Sequence, residues 1–216
     1  MMECEDDMDK ILIGIPTTGY IPATFIRCLL DLTHYLTREG IRHEIMLEEG
    51  TIIHMSRDRI ANRAINENFT HVLWIDSDMK FTEEILETLM FHKKEMVCGV
   101  FQSRRPPFNS CIFSEIDEGR ITRYEQYPDQ LFKIEGCGFG CVLTETQLLK
   151  TVHDNFQTCF WPMTHFGEDL SFCKRVRLLK REIWCDPSAR VGHIAHVPVY
   201  PEDHEAAMRA REEQRC

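Results

Sequence analysis

The sequence predicts an α/β protein with a mostly parallel, twisted central sheet flanked by helices and a small antiparallel element in its second half. Three observations predict it. From Lys10 to Ile75, short apolar runs alternate with segments of helical periodicity, giving strand, helix, strand, helix, strand. Right-handed crossovers make those three strands parallel and bring their carboxyl ends to one edge. The third run, His71-Val72-Leu73-Trp74-Ile75, then stops at Asp76-Ser77-Asp78. Two carboxylates therefore sit at the edge where open α/β sheets bind ligands. Beyond Phe101 the alternation breaks into a proline-stopped loop and a hairpin pattern, which supplies the antiparallel part.

In order, residues 1–9 are expected to be a disordered acidic lead-in. Lys10 to Pro16 is a strand, and Thr17-Thr18-Gly19-Tyr20 turns the chain at its end. Ile21 to Arg38 reads as a helix stopped by Gly40. Ile41 to Leu47 is a strand ending in Glu48-Glu49-Gly50, and His54 to Asn68 a helix rich in arginine. A helix over Thr82–His92 and a strand over Met96–Phe101 follow. The loop Gln102-Ser103-Arg104-Arg105-Pro106-Pro107 leads to strands at 111–116 and 120–124, joined by Asp117-Glu118-Gly119. A short strand at 131–135, a glycine-rich turn at 136–140, a strand through Leu143 and a helix over 144–153 come next. Phe166-Gly167-Glu168-Asp169 opens a helix to Lys180, then a strand runs over 181–186, and 189–197 carries His193 and His196. The domain expectation is a nucleotide-binding half at 10–101, a catalytic and acceptor half at 102–200, together one domain, and a charged tail at 201–216.

Composition narrows the function. At 216 residues, 43% hydrophobic and 28% charged, the chain is long enough for a real core and ordinary for a soluble globular protein. A net charge of -10 argues against coating nucleic acid. No apolar run approaches the roughly 20 residues of a membrane span, and the acidic start is not a signal peptide. The ten cysteines are scattered, mostly within apolar segments, with no C-x-x-C pair. They read as small buried hydrophobes in a reducing compartment, which places the protein in the cytoplasm, or in a host's cytoplasm if it is viral. No G-x-G-x-x-G or G-x-x-x-x-G-K-[ST] occurs, so dinucleotide and P-loop chemistry fall away.

Asp76 and Asp78 repel each other unless a cation or proton lies between them. Hard oxygen ligands suit Mg²⁺ or Mn²⁺, which take one or two protein carboxylates and complete their shells with phosphates. The simpler alternative is that the two acids cap the helix after them.

Four stretches in order resemble the GT-A glycosyltransferases, especially compact family-2-like enzymes of bacteria, phages and large DNA viruses. IPTTGY is similar to the family's base-contacting first strand end. LEEGT stands where the family has D-D-G-S, with glutamates at 48 and 49 in place of aspartates. SRDRIAN followed by THVLWIDSDM resembles the arginine-bearing helix that runs into the Asp-x-Asp strand. FGEDLSFCKRV resembles the segment supplying the catalytic base. The resemblance runs from about Lys10 to His196.

It implies a metal-dependent transfer of a sugar from a nucleoside diphosphate, UDP first and GDP second, to a hydroxyl of a glycan or other acceptor, with inversion. On that basis Asp78 is the direct Mn²⁺ (or Mg²⁺) ligand and Asp76 holds the ribose or binds through water. His193 is the candidate third ligand, as against an ordinary core histidine. Asp169 is the base with Glu168 beside it, as against a helix-start pair favoured by the dipole. Pro16, Thr17, Thr18, Glu48, Glu49, Arg57, Asp58, Ser77 and Arg104 are assigned to the donor: Arg57 at its diphosphate or base, as against a solvated basic helix face, and Arg104 with Arg105 on a loop over its phosphates, as against an ordinary exposed loop. Trp161 is either a sugar-stacking ring or core filler. The rivals are a catalytically inactive sugar-nucleotide or glycan-binding module and a haloacid-dehalogenase-type phosphotransferase. Lys80 and the late position of the acidic strand count against the latter.

Overall fold

A computed structural model describes residues 9–105, 107–117 and 120–195. The expected lead-in (apart from Asp9), the hairpin turn at 118 and 119, His196 and the tail lie outside them. The elements are β1 Lys10–Thr17, α1 Ala23–Arg38, β2 Arg42–Glu49, α2 Ile53–Asn66, β3 His71–Ile75, β4 Met79–Lys80, α3 Ile85–Met90 and β5 Met96–Val100. They continue with β6 Ile112–Asp117, β7 Arg120–Arg123, β8 Phe132–Ile134, β9 Gly136–Cys137, β10 Cys141–Glu145, α4 Thr146–Phe156, α5 Glu168–Leu178, β11 Ile183–Arg190 and β12 Gly192–His193.

Seven strands form one sheet in the order β2-β1-β3-β10-β5-β11-β8. The parallel pairs β1–β2, β1–β3 and β5–β11 set one direction, and β10 and β8 run against it. As expected, the first three strands are neighbours and their carboxyl ends adjoin. The insertion of β10 between β3 and β5 was not foreseen. All four of Cys141 to Thr144 are buried, as a central strand flanked by helices on both faces requires, but an apolar run carries no sign of its direction.

Strand periodicity divides the core into two layers. Ile11, Ile13 and Ile15 point to one face with Leu73, Ile75 and Val97, against α1 and α3. Leu12, Val72, Trp74 and Cys98 point to the other, against α2, α4 and α5. Gly14 also lies on β1, where an added Cβ would come within 2.6 Å of Ile60 Cγ2 on α2. The second layer is built on rings: Trp74, Phe139, Phe160 and Phe172 pack edge-on or stacked at centroid distances of 4.8–5.7 Å. Trp74 donates its indole N–H to Thr144 Oγ1 at 2.9 Å, so this buried polar atom is satisfied.

Seven of the eight described cysteines are buried, in keeping with their reading as core residues. Among the described residues no helix is long and apolar enough to cross a membrane.

The helix after the acidic pair is shorter than its sequence pattern. Ile85 N–H bonds Thr82 at i−3, making a turn, and α3 starts only at Ile85 without a side-chain cap. Asp76 and Asp78 therefore do not cap it.

Candidate active site

β3 delivers Asp76, Ser77 and Asp78 to the sheet edge beside Pro16 and Thr17 of β1. β12 then folds back on β4, pairing His193 with Met79 and Gly192 with Lys80, and Ile194 N–H donates to the Asp78 carbonyl at 2.7 Å. This two-strand tie brings a histidine 115 positions away to the acid: His193 Nε2 lies 3.2 Å from Asp78 Oδ2. Its Nδ1 lies 3.1 Å from the Gln102 carbonyl, which fixes the ring. Asp78 raises the His193 pKa, through their hydrogen bond above all. Arg104 also donates to Asp78 Oδ2. Although burial pushes Asp78 upward, the histidine and arginine leave it below its ordinary value.

Arg57 occupies the centre of the site. It is 3% exposed and donates through Nη2 to Asp76 Oδ1 at 2.8 Å and through Nη1 to Glu168 Oε1 at 2.7 Å. Its guanidinium lies 5.1 Å from the Phe139 ring centroid, and its Nε has no partner. α2 thus ties the acidic end of β3 to the start of α5. Burial pushes the Asp76 pKa up against the pull of Arg57. With both ends of its fork engaged, Arg57 is a brace between two carboxylates, not a free ligand for donor phosphates.

α5 begins after Gly167 with Glu168 and Asp169 in its first turn. Asp169 accepts from Leu170 N–H at 2.7 Å. Burial, then the neighbouring Glu168 charge, push its pKa up to about 6, with Arg57 opposing. The two acids therefore differ in their surroundings: Glu168 is paired with Arg57, and Asp169 is held with its pKa raised. Gly138 faces it, with an added Cβ 3.7 Å from Asp169 Oδ2, which keeps that side of the carboxylate open.

A cleft of about 470 Å³ gathers these groups. Of the expected residues, Pro16, Thr17, Thr18, Arg57, Asp76, Ser77, Asp78, Arg104, Glu168, Asp169 and His193 line it. Glu48, Glu49 and Asp58 do not. Glu48 accepts from Arg59 at 2.6 Å, and Glu49 packs by the Gly19 turn, where φ is +97° and a Cβ would meet its Oε1 at 3.0 Å. Asp58 is corrected to a structural role. Its oxygens accept from Thr158 Oγ1, Cys159 N–H and Phe160 N–H at 2.6–2.9 Å, pinning the loop before α5. Arg175 clamps the same loop through the carbonyls of Cys159 and Trp161. Trp161 is therefore not core filler: it is 59% exposed, edge-on to His54. Sequence reasoning did not assign Tyr20, Ile53, Phe101 or Phe139 to the cleft. Tyr20 was signalled by its place in the first strand-end motif; the others carry no local signal.

Asp78 Oδ2 and His193 Nε2 have the spacing of two neighbouring donors on one small divalent ion, with Asp76 one turn of backbone away and held by Arg57. The guanidinium of Arg104 already places a positive charge there. The residues fit a partly protein-held ion open to phosphate and water. Among the described residues no three His, Cys, Asp or Glu side chains form a preassembled cage.

No protein-family model matches the sequence, and no curated protein matches it by sequence. Solved structures do match its fold. A197 from STIV aligns at TM-score 0.56 and 15% identity over 88% of this chain and 99% of its own. GalNAc-T7, solved with UDP, GalNAc and Mn²⁺, aligns at TM-score 0.57 and 8% identity over 89% of this chain and 45% of its own. The catalytic domain of Drosophila β1,4-galactosyltransferase 7, in complex with xylobiose, aligns at 0.53 and 12% over 93% of this chain and 80% of its own. The chain shares its GT-A fold with these structures.

Proposed function

We propose that the protein is a metal-dependent glycosyltransferase that moves a sugar from a nucleoside-diphosphate sugar, UDP-linked by preference and GDP-linked as runner-up, to a hydroxyl of a glycan or other acceptor. The observation that carries it is the meeting, in one cleft, of Asp78 and His193 with a carboxyl group of pKa about 6 at Asp169. The fold shared with GalNAc-T7 and the galactosyltransferase supports the same reading.

In this mechanism the β1 end, Pro16 to Thr18, and Ser77 hold the nucleoside, and Asp76, braced by Arg57, faces the ribose. Asp78 and His193 hold Mn²⁺ or Mg²⁺. When bound, that ion neutralises the negative charge that grows on the departing diphosphate. Asp169, ionised above about pH 6, takes the proton of the acceptor hydroxyl as its oxygen forms the new bond to the anomeric carbon. The anomeric C–O bond to the phosphate breaks, and its electron pair leaves with the nucleoside diphosphate. A single base on one side of the sugar gives inversion. Arg104, which donates to Asp78, would place its positive charge beside the donor's phosphates.

The test is incubation with Mn²⁺ and UDP- and GDP-sugars, with free nucleoside diphosphate as readout and the product anomer read by NMR. Metal-dependent release from a UDP-sugar, abolished in Asp169→Asn, is the expected result. Binding of donors with neither hydrolysis nor transfer would instead make this a sugar-nucleotide-binding module.

A further inference from the structure

A second groove of about 470 Å³ lies between the loop after β5 and the β6–β7 hairpin. Its walls are aromatic and amide-bearing: Phe108 and Asn109 from the loop, Tyr124 and Tyr127 from beyond the hairpin, with Gln102 at one end. Tyr127 donates to Ser110 Oγ at 2.8 Å and accepts from Gln102 Nε2 at 3.3 Å. Both tyrosine rings lean on Phe132, at 5.1 and 6.4 Å, so the wall is rigid.

Its charge selects the ligand class. The charged lining residues are Arg123 and Glu125, one of each sign. Arg123 is already committed, to the Ser110 carbonyl at 2.6 Å and to the Phe113 ring 4.6 Å away. Among the described residues of the lining no other cation is present to take a phosphate or a carboxylate. Aromatic faces, amides and hydroxyls without net charge suit a neutral carbohydrate, whose C–H faces stack and whose hydroxyls bond both ways.

Phe108 adds an independent observation. It is 57% exposed and held at φ 56°, in the left-handed region that a bulky residue rarely adopts. Its N–H donates to the Arg105 carbonyl at 2.9 Å, and this turn sets the phenyl ring out on the groove's rim. The groove also neighbours the cleft along the chain. Gln102 lines the groove with its side chain and holds His193 with its carbonyl, and Ser110, its bridge partner, precedes the cleft residue Cys111.

We infer that this groove is a subsite for a neutral sugar unit of the acceptor glycan. The role as acceptor subsite rests on the proposed transfer; the binding of saccharide does not.

The experiment uses the full chain with ¹³C-labelled aromatic residues, titrated with neutral di-, tri- and tetrasaccharides. The expected result is saturable perturbation of the Phe108, Tyr124 and Tyr127 signals. Phe108→Ala and Tyr127→Phe should weaken that binding about tenfold or more and leave UDP binding unchanged by calorimetry. The inference is overturned if no saccharide perturbs these rings, or if both variants keep wild-type saccharide affinity. Saccharide binding here without transfer from any nucleotide sugar would remove the transferase reading and leave the subsite. Transfer with an unchanged acceptor KM in both variants would do the reverse.

Discussion

Asp169→Asn should trade activity for stability, and the trade should depend on pH. Folding raises the Asp169 pKa from 3.8 to about 6, so the folded protein holds this proton more tightly than the unfolded chain. Between those values the native state binds more protons, and stability falls as pH rises. The penalty is absent below the unfolded value and complete above about pH 6. The displacement of about 2.2 units corresponds to about 3 kcal/mol at 1.36 kcal/mol per unit. The side chain is only half-buried by surface area, so solvent screening brings this to ~1–2 kcal/mol. Asparagine keeps an oxygen for Leu170 N–H and never carries the charge. At pH 8 the variant's melting temperature should therefore exceed wild type by about 2–8 °C, with the difference closing near pH 4. Wild-type kcat/KM should fall on the acid side with a midpoint near pH 6, and the variant should lose about 10²–10⁴-fold in activity. Thermal melts across pH with and without the substitution provide the check. A variant no more stable than wild type at pH 8, or a difference that persists at pH 4, would refute the buried-base argument.

Three further substitutions test the surrounding frame. Arg57→Gln leaves Asp76 and Glu168 facing each other without their shared cation, and should cost about 3–5 kcal/mol in urea unfolding at pH 7. That cost should shrink in acid as Asp76, its pKa raised by burial, protonates; an equal cost at all pH values would make Arg57 a packing residue only. Arg104→Ala should tighten Mn²⁺ binding by up to about fivefold, because an ion pair with a half-exposed arginine is worth ~1 kcal/mol at most and competes for Asp78. Calorimetry measures it, and weaker binding would show that Arg104 helps to hold the ion's site. Gly14→Ala puts a methyl 2.6 Å from Ile60 Cγ2 and should destabilise by about 1–3 kcal/mol. Chemical denaturation with unchanged slope is the readout, and a neutral result would mean that α2 can slide on β1.

The acidic pair illustrates what could be read and what could not. Its location at a sheet edge follows from local pattern, because an apolar run of strand length ending in charge has few other solutions. The partners of each acid do not. Arg57 lies 19 residues before Asp76 and 111 before Glu168, yet donates to both. Nothing in the helix pattern of α2 separates a buried bracing arginine from the solvated Arg59 on the same helix. Asp58 misled for the same reason: its three bonds go to a loop at 158–160, about a hundred positions away.

The sequence by itself determined most of the longer elements, the parallel first half, and the sheet edge where the acidic pair would lie. Those properties depend on residues a few positions apart, whose spacing sets which face a side chain takes. Only the tertiary structure decided that β10 inserts between β3 and β5. It alone gave Glu168 to Arg57 while burial raised the pKa of Asp169, and brought His193 to Asp78 through the β4–β12 tie. These outcomes depend on which distant segments pack against one another, and burial shifts a carboxyl group only after that packing exists.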